Sequence, residues 1–210
     1  MITGNLFVIS GPSGTGKSTI VHNILTSRND TTFSVSATTR GPRKNEINGV
    51  DYFFITQEQF DSMIVNKEFL EHATYVSNSY GTPRKPVVDN LNCGKNVILD
   101  IEVQGASQIK ENYPQAIFIY ITPPSMEQLE TRLRARATDS EEKILNRLNQ
   151  VKNELKYLDI YDYIVINDKL DVAIKEVSAI IESQNLNNSI RNKYIMEAYL
   201  LWWYIHLWVI

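Results

Sequence analysis

Eight residues near the start of the chain have the types and spacing of a phosphate-binding loop. Residues 11–18 are Gly-Pro-Ser-Gly-Thr-Gly-Lys-Ser, which satisfies the pattern G-x-x-x-x-G-K-[ST]. They follow the apolar run Leu6-Phe7-Val8-Ile9 and precede a helix-compatible stretch that begins at Thr19. Because a strand, a tight loop and a helix N-terminus together gather backbone N–H groups around an anion, this context favours binding of a nucleoside triphosphate.

The loop contains each type of group that a bound triphosphate requires. Glycines allow the tight turn, Lys17 adds a full positive charge, and the Ser18 hydroxyl is suited to ligate Mg²⁺. We therefore expect Mg²⁺ as the metal ion and Lys17 as a catalytic residue. The predicted triphosphate-binding residues are Gly11, Pro12, Ser13, Gly14, Thr15, Gly16, Lys17, Ser18 and Thr19.

Two arginines predict a second anion site. Arg40 and Arg43 lie three residues apart, with the helix-breaking residues Gly41 and Pro42 between them. A guanidinium fork binds phosphate oxygens bidentately. A phosphate loop combined with a separate anion site is typical of a small kinase that phosphorylates a second ligand.

The motifs of a GTPase are not satisfied. Asn192-Lys193 would begin the base-reading Asn-Lys-x-Asp, but position 195 is Ile. Asp100 ends an apolar run and suits an acidic residue near Mg²⁺, but the Asp-x-x-Gly of G proteins fails because position 103 is Val.

The phosphate loop and the Ser-x-Thr-Thr-Arg-x-Pro-Arg-x-x-Glu segment (36–46) together resemble the guanylate kinase family. Further matching segments follow in the order and at the spacing of that family, so that the resemblance covers about residues 4–183. They are residues 49–54, 68–71, 80–82, 99–105, 132–142 and 166–168.

This resemblance implies transfer of the γ-phosphoryl group of ATP to GMP, which gives ADP and GDP. Positions that hold the GMP phosphate in the family correspond to Arg40, Arg43, Tyr52 and Tyr80. Positions that read guanine correspond to Ser36, Glu71 and Asp100, and Thr82 belongs to the same GMP-binding set. The chemistry agrees, because a carboxylate can accept together the N1–H and N2–H₂ donors that guanine presents side by side.

The resemblance also implies a mobile lid. Arg132, Arg136 and Arg147 match arginines that reach the transferring phosphates when the lid closes, and Asn167 matches a residue beside the adenine of ATP. Several arginines suit phosphoryl transfer, which depends on charge neutralisation and alignment. Ala137 departs from the glycine that many relatives carry at this position.

The alternation of apolar and helical segments predicts an α/β fold. We expect a three-layer P-loop kinase with a parallel core sheet, a GMP-binding insertion and a helical lid. Expected core strands are residues 6–10, 96–101, 116–122 and 163–166, with further strand-like pieces at 33–36 and 52–55. Expected helices after the one at 19–27 are 58–66, 86–93, 103–112, 125–136, 140–157 and 171–183. The catalytic domain is expected at 1–184, with the insertion over about 33–90 and the lid over about 125–157.

Composition narrows the class of protein. The chain has 210 residues, with 21 basic and 24 acidic side chains, which argues against a nucleic-acid partner. Cys93 is the single cysteine, so no internal disulfide can form. With the first strand so close to Met1, we expect no targeting segment and a cytoplasmic protein, either monomeric or homo-oligomeric.

The last 26 residues, 185–210, lie outside the resemblance. An Asn-rich stretch is followed by an apolar segment from Tyr194 that contains all three tryptophans of the chain, Trp202, Trp203 and Trp208. A docked helix or an appended sequence is favoured over a membrane anchor, because the apolar stretch is short and is interrupted by Glu197 and His206.

Two other functions remain open at this stage. One is a non-catalytic guanylate-kinase-like interaction module, and the other is a related small kinase that uses a different phosphorylated acceptor. The intact Gly16-Lys17-Ser18 argues against the first, and the complete acceptor-site set argues against the second.

Overall fold

A computed structural model describes residues 4–75, 77–135 and 140–185, which form one parallel sheet, a second smaller sheet and seven α-helices. The elements are β1 (Leu6–Ser10), α1 (Lys17–Ser27), β2 (Thr31–Phe33), β3 (Ala37–Thr38), β4 (Phe53–Phe54), α2 (Gln57–Val65), β5 (Phe69–Tyr75), β6 (Asn78–Pro83), α3 (Arg84–Asn92), β7 (Asn96–Asp100), α4 (Val103–Asn112), β8 (Ile117–Thr122), α5 (Met126–Ala135), α6 (Glu141–Glu154), a 3₁₀ helix (Leu155–Ile160), β9 (Tyr163–Ile166) and α7 (Leu170–Asn185).

The core sheet has the strand order β2-β7-β1-β8-β9, and every pairing in it is parallel. β1 lies in the centre and is buried along its whole length, as a near-continuous apolar run predicts for a parallel strand. The predicted strands at 6–10 and 163–166 match their elements, and those at 96–101 and 116–122 differ from theirs by one residue at one end.

Helices cover both faces of this sheet. Side chains that alternate along β1 point to opposite faces, so their neighbours show which helices lie on each face. Leu6 and Val8 pack in one apolar cluster with α3 and α4, whereas Phe7 and Ile9 pack in another with α1 and α7. Two buried clusters on opposite faces of one sheet confirm the predicted three-layer α/β fold.

The second sheet has the strand order β4-β3-β6-β5 and lies between β2 and β7 in the sequence. The hairpin of β5 and β6 carries most of its pairing. The strand expected at 33–36 is wrong as a single element: β2 ends at Phe33 in the core sheet, and β3 begins at Ala37 in the second sheet. Ser34 still follows the core sheet, since its N–H donates to the carbonyl of Ile98 at 3.0 Å.

Helices α5 and α6 pack against each other through a small apolar cluster of their own. Leu129 and Leu133 of α5 meet Ile144 and Val151 of α6, and all four are buried. This pair of helices occupies most of the segment expected to form a lid.

Among the described residues, no helix combines the length and the apolar character needed to cross a membrane. Two predictions lie outside the described residues. They are the Trp-rich tail, which belongs to segment 186–210, and the lid arginine Arg136, which belongs to segment 136–139.

Candidate active site

The phosphate loop connects the central strand to the first helix. Gly16 lies immediately before α1 with φ of 86°, in the left-handed region that favours glycine, and an added Cβ would lie 2.5 Å from Nδ2 of Asn167. Because glycine supplies no capping side chain, the first N–H groups of α1 remain available to an anion. Thr15 and Pro12 are buried, whereas Ser13, Ser18 and Thr19 are exposed.

Lys17 is held at the carboxyl ends of the two central strands. Its Nζ donates to the carbonyl of Gly11 at 3.1 Å and lies 2.9 Å from Oδ1 of Asp100, the last residue of β7. Because parallel strands end at the same edge of a sheet, this pairing brings together a cation and a carboxylate from distant parts of the sequence.

Two further carboxylates, those of Glu102 and Glu154, face the same region. Burial raises the pKa of both carboxyl groups, and the positive charge of Lys17 opposes that shift in each. The Tyr120 hydroxyl lies 3.4 Å from Oε2 of Glu154. Neither glutamate was assigned a role from the sequence: Glu102 belongs to the matching segment 99–105, and Glu154 comes from a distant amphipathic helix.

Helix α6 reaches across to the phosphate loop. Nη1 of Arg147 donates to Oγ of Ser13 at 2.6 Å. On the other side of the loop, Nδ2 of Asn167 donates to the carbonyl of Thr15 at 2.6 Å, and Arg132 donates to the carbonyl of Asn167 at 2.9 Å. The Asn167 amide is therefore buried against the loop, so it supports the loop's conformation in this structure.

These groups surround a cavity of about 470 Å³. Its lining includes five residues predicted to bind the triphosphate (Gly11, Pro12, Ser13, Lys17 and Ser18) together with Arg43, Tyr52, Asp100, Ile101, Glu102, Val103, Arg147, Gln150 and Glu154.

A second cavity of about 250 Å³ adjoins the first. Five predicted acceptor-site residues line it: Ser36, Tyr52, Glu71, Tyr80 and Asp100. The two cavities share Tyr52, Asp100, Ile101 and Glu102. Gln104, which belongs to the matching segment 99–105 but was assigned no role, lies on the same wall.

Glu71 is a buried carboxylate on β5, with 6% of its surface exposed. Its Oε1 accepts a hydrogen bond from the Thr82 hydroxyl at 2.6 Å, and burial raises the pKa of its carboxyl group. Thr82 is itself fully buried and holds Glu71 rather than lining the cavity.

Helix α4 supports Glu71 from the core sheet. A Cβ added to Gly105 in its first turn would lie 2.5 Å from Oε2 of Glu71, so only glycine lets the carboxylate lie so close to the helix. One turn further on, Gln108 accepts from the backbone N–H of His72 at 3.1 Å and donates to its carbonyl at 2.8 Å. These two bonds attach the edge strand β5 to α4.

Arg40 and Arg43 occupy different positions. Arg43 is exposed and lines the larger cavity. Arg40 lines neither cavity in this structure, because its guanidinium is paired with Glu46 at 2.9 Å and lies over the ring of Tyr52.

A phosphate loop that shares one cleft with a buried carboxylate and an arginine-bearing loop defines the class of nucleotide-binding phosphotransferases. Comparisons with known proteins agree with this class. The profile of the family described as guanylate kinase matches residues 3–184. The chain is 47% identical over 183 residues to the guanylate kinase of Oceanobacillus iheyensis, which covers 87% of this chain and 89% of the relative. It is 48% identical over 182 residues to that of Lactococcus lactis, with 87% and 89% covered.

Among solved structures, the guanylate kinase of Anaplasma phagocytophilum superposes with a TM-score of 0.73 at 33% identity, covering 89% of this chain and 88% of that one. The chain belongs to the guanylate kinase family.

Proposed function

We propose that this protein transfers the γ-phosphoryl group of ATP to the phosphate of GMP, which yields ADP and GDP. The observation that carries the proposal is the junction of the two cavities at Tyr52, Asp100, Ile101 and Glu102. A donor in the larger cavity and an acceptor in the smaller one would meet there. The attacking group is the acceptor's own phosphate oxygen, so the protein needs no nucleophile of its own.

The residues of the larger cavity suit the triphosphate. N–H groups of the loop and of the first turn of α1 would cradle its phosphates, and Lys17 would exchange its contact with Asp100 for phosphate oxygens. Arg147 already spans from α6 to Ser13, so its charge is available beside the transferring group. We propose Arg132 and Arg136 as further lid arginines and Asn167 as a contact near the adenine.

The smaller cavity suits guanosine monophosphate (GMP). The Glu71 carboxylate can accept both neighbouring guanine donors, whereas adenine would leave that carboxylate without matching donors. Ser36, Asp100 and Gln104 complete the polar wall, and Tyr52, Tyr80, Arg40 and Arg43 are proposed for the acceptor phosphate.

Mg²⁺ fits two oxygen donors that line the larger cavity. Ser18 offers a hydroxyl and Asp100 a carboxylate, which are the oxygen ligands that Mg²⁺ prefers. Among the described residues there is no cluster of three His, Cys, Asp or Glu side chains that could hold a metal ion. We propose that Ser18, with Asp100 acting through water, would hold a Mg²⁺ ion that enters with ATP and that would neutralise phosphate charge.

The proposed organisation assigns the second sheet to GMP and the α5–α6 pair to the lid. Residues 1–184 form the catalytic domain, in which the insertion over about 33–90 and the lid over about 125–157 approach each other on closure and exclude water. We propose a cytoplasmic enzyme that acts as a monomer or homo-oligomer, with residues 185–210 outside the catalytic unit.

A coupled ADP-release assay with GMP, dGMP, AMP and UMP tests this function. We expect turnover with GMP and far less with AMP or UMP. Lys17→Ala should lower kcat on the order of 100-fold or more, because it removes the positive charge beside the phosphates. Lys85→Ala is the matched control: its side chain is 85% exposed and makes a surface ion pair, so activity should not change.

Equal turnover of GMP and AMP would contradict the assignment of the acceptor. Absence of turnover with every acceptor would instead favour a non-catalytic binding module. Near-normal kcat in Lys17→Ala would contradict the kinase assignment itself.

A further inference from the structure

A single carboxylate, that of Glu46, connects the two arginines of the acceptor-phosphate loop. Its Oε1 accepts from Nη2 of Arg40 at 2.9 Å, and its Oε2 accepts from Nη1 of the same guanidinium at 3.0 Å. The same Oε2 accepts from the backbone N–H of Arg43 at 2.7 Å. With 19% of its side chain exposed against 14% for Arg40, the pair is sheltered beyond what an ordinary surface ion pair would be.

The geometry of this pair decides which edge of the Arg40 guanidinium remains for a ligand. A carboxylate that bridges Nη1 and Nη2 occupies the end of the guanidinium. The second hydrogen of Nη1 goes to the carbonyl of Gly41, at 2.8 Å. What remains is the side edge, formed by Nε–H and the outer N–H of Nη2, and this edge is itself a two-pronged fork for phosphate oxygens.

Aromatic residues fix the plane in which that fork lies. The Arg40 guanidinium carbon is 5.4 Å from the ring centroid of Tyr52 and 5.8 Å from that of Phe54. The Tyr80 hydroxyl also interacts with the Arg40 guanidinium. Tyr52 and Tyr80, which both contact Arg40, line the smaller cavity, so Arg40 lies next to residues of that cavity although it does not line it in this structure.

We propose that Glu46 is a positioning residue of the acceptor site, which holds Arg40 by its end and so presents its side-on fork to the phosphate monoester of the acceptor nucleotide. The inference rests on the proposed function and adds to it a residue that does not touch the substrate. Through its bond to the N–H of Arg43, Glu46 also fixes the spacing between the two arginines.

The test compares Glu46→Gln and Glu46→Asp with the full-length wild type. Gln keeps the shape but turns one acceptor into a donor that faces a guanidinium, and Asp keeps the charge but is too short to reach all three donors. We expect the KM for GMP to rise about tenfold or more in both variants, as loss of a charged hydrogen bond predicts. The KM for ATP and the thermal midpoint should change little, and Glu111→Gln, an exposed acid on α4, should leave all values unchanged.

The Arg40→Lys variant serves as a second background, in which a positioning role of Glu46 can be distinguished from a merely structural one. Lys cannot form a two-pronged fork, so in Arg40→Lys there is no fork for Glu46 to orient. Glu46→Gln should therefore add little to the KM defect of Arg40→Lys. Full additivity of the two defects, or an unchanged KM in Glu46→Gln, would overturn the proposal.

Failure of the proposed function would look different. If the wild type phosphorylates no nucleoside monophosphate, the proposed function is wrong. Calorimetric titration of GMP into the wild type and into Glu46→Gln still tests the positioning role of Glu46 in that case. Equal dissociation constants in that titration would overturn it, and a Kd raised about tenfold in the variant would support it.

Discussion

At the scale of single residues, Glu71 links base recognition to pH. Burial raises the pKa of its carboxyl group above the ordinary 4.5. Only the ionised carboxylate can accept the two guanine donors, so GMP binding should strengthen as pH rises through the raised pKa. The same burial disfavours the charged form of Glu71 in the folded protein. The folded state is therefore more stable at low pH, where the carboxyl group is neutral, and this contribution to the free energy of unfolding is lost as pH rises from 4.5 through the raised pKa.

We therefore expect the KM for GMP to be highest in acid and to fall with an inflection above pH 4.5. Glu71→Gln should raise the KM roughly 10- to 100-fold, because a donor would then face the guanine N–H groups. The variant should also lose the inflection, whereas the KM for ATP should keep its value. Steady-state KM against pH for both proteins measures this, and an inflection that persists in the variant would show that another group titrates.

The predictability of the site also depends on the individual residue. Lys17 and Ser18 belong to a contiguous motif whose local strand–loop–helix context fixes their geometry. Glu154 joins the same cavity from a helix more than 130 residues later, and Glu102 joins it from the segment after β7. Contacts of this kind depend on tertiary packing, which hydropathy and spacing along the sequence do not predict.

At the scale of elements, the core strands were predictable because both of their faces are buried. β1 and β8 appear in the sequence as apolar runs, since each strand contributes to both apolar clusters. The β5–β6 hairpin was not predicted: β5 carries Glu71 and His72, and β6 carries Gly81 and ends at Pro83. Glu71 and Gly81 line the smaller cavity, so the requirements of the site replaced the apolar strand pattern there.

Helix α4 offers a test of how an element determines the position of Glu71. In Gly105→Ala the new methyl group would lie 2.5 Å from Oε2 and 3.0 Å from Cδ of Glu71, so the carboxylate must move away from the helix. We expect the KM for GMP to rise about tenfold, the scale of one charged hydrogen bond, with the KM for ATP nearly unchanged. Ser107→Ala on the same helix, which removes only a bond to the carbonyl of Val103, serves as control. Equal KM values for GMP in wild type and Gly105→Ala would mean that α4 does not determine the position of the Glu71 carboxylate.

At the scale of the whole molecule, two sheets and a helical pair surround one cleft. The second sheet is attached to the core through the α4–β5 contact, and α6 reaches the phosphate loop through Arg147. The attachment through Arg147 is polar, whereas the α4–β5 contact combines the two Gln108 bonds with Leu70 of β5, which is buried in the apolar cluster that includes α4. Each attachment joins a predicted moving part to the fixed layer that carries Lys17. Polar attachments can exchange partners with a ligand at low cost, which suits a cleft that closes around two nucleotides.

The last expectation is that residues 185–210 are dispensable for catalysis. Helix α7 closes the core through the buried side chains Ala173, Val177 and Ile181, and the family match ends at residue 184, one residue before that helix ends. A chain that stops after Asn185 therefore keeps every described element. We expect its kcat and KM for GMP to equal those of the full chain.

All three tryptophans lie beyond that point, so apolar surface that the chain exposes there would be a cause of association. The truncated chain should remain soluble at higher concentration than the full chain, measured by light scattering beside the kinase assay. Flotation of both chains with lipid vesicles completes the comparison. If the truncated chain unfolds or loses activity, the last residues belong to the core, and the separation of a catalytic unit at 1–184 from the tail is wrong. If it stays active and only the full chain floats with vesicles, the tail is a membrane anchor.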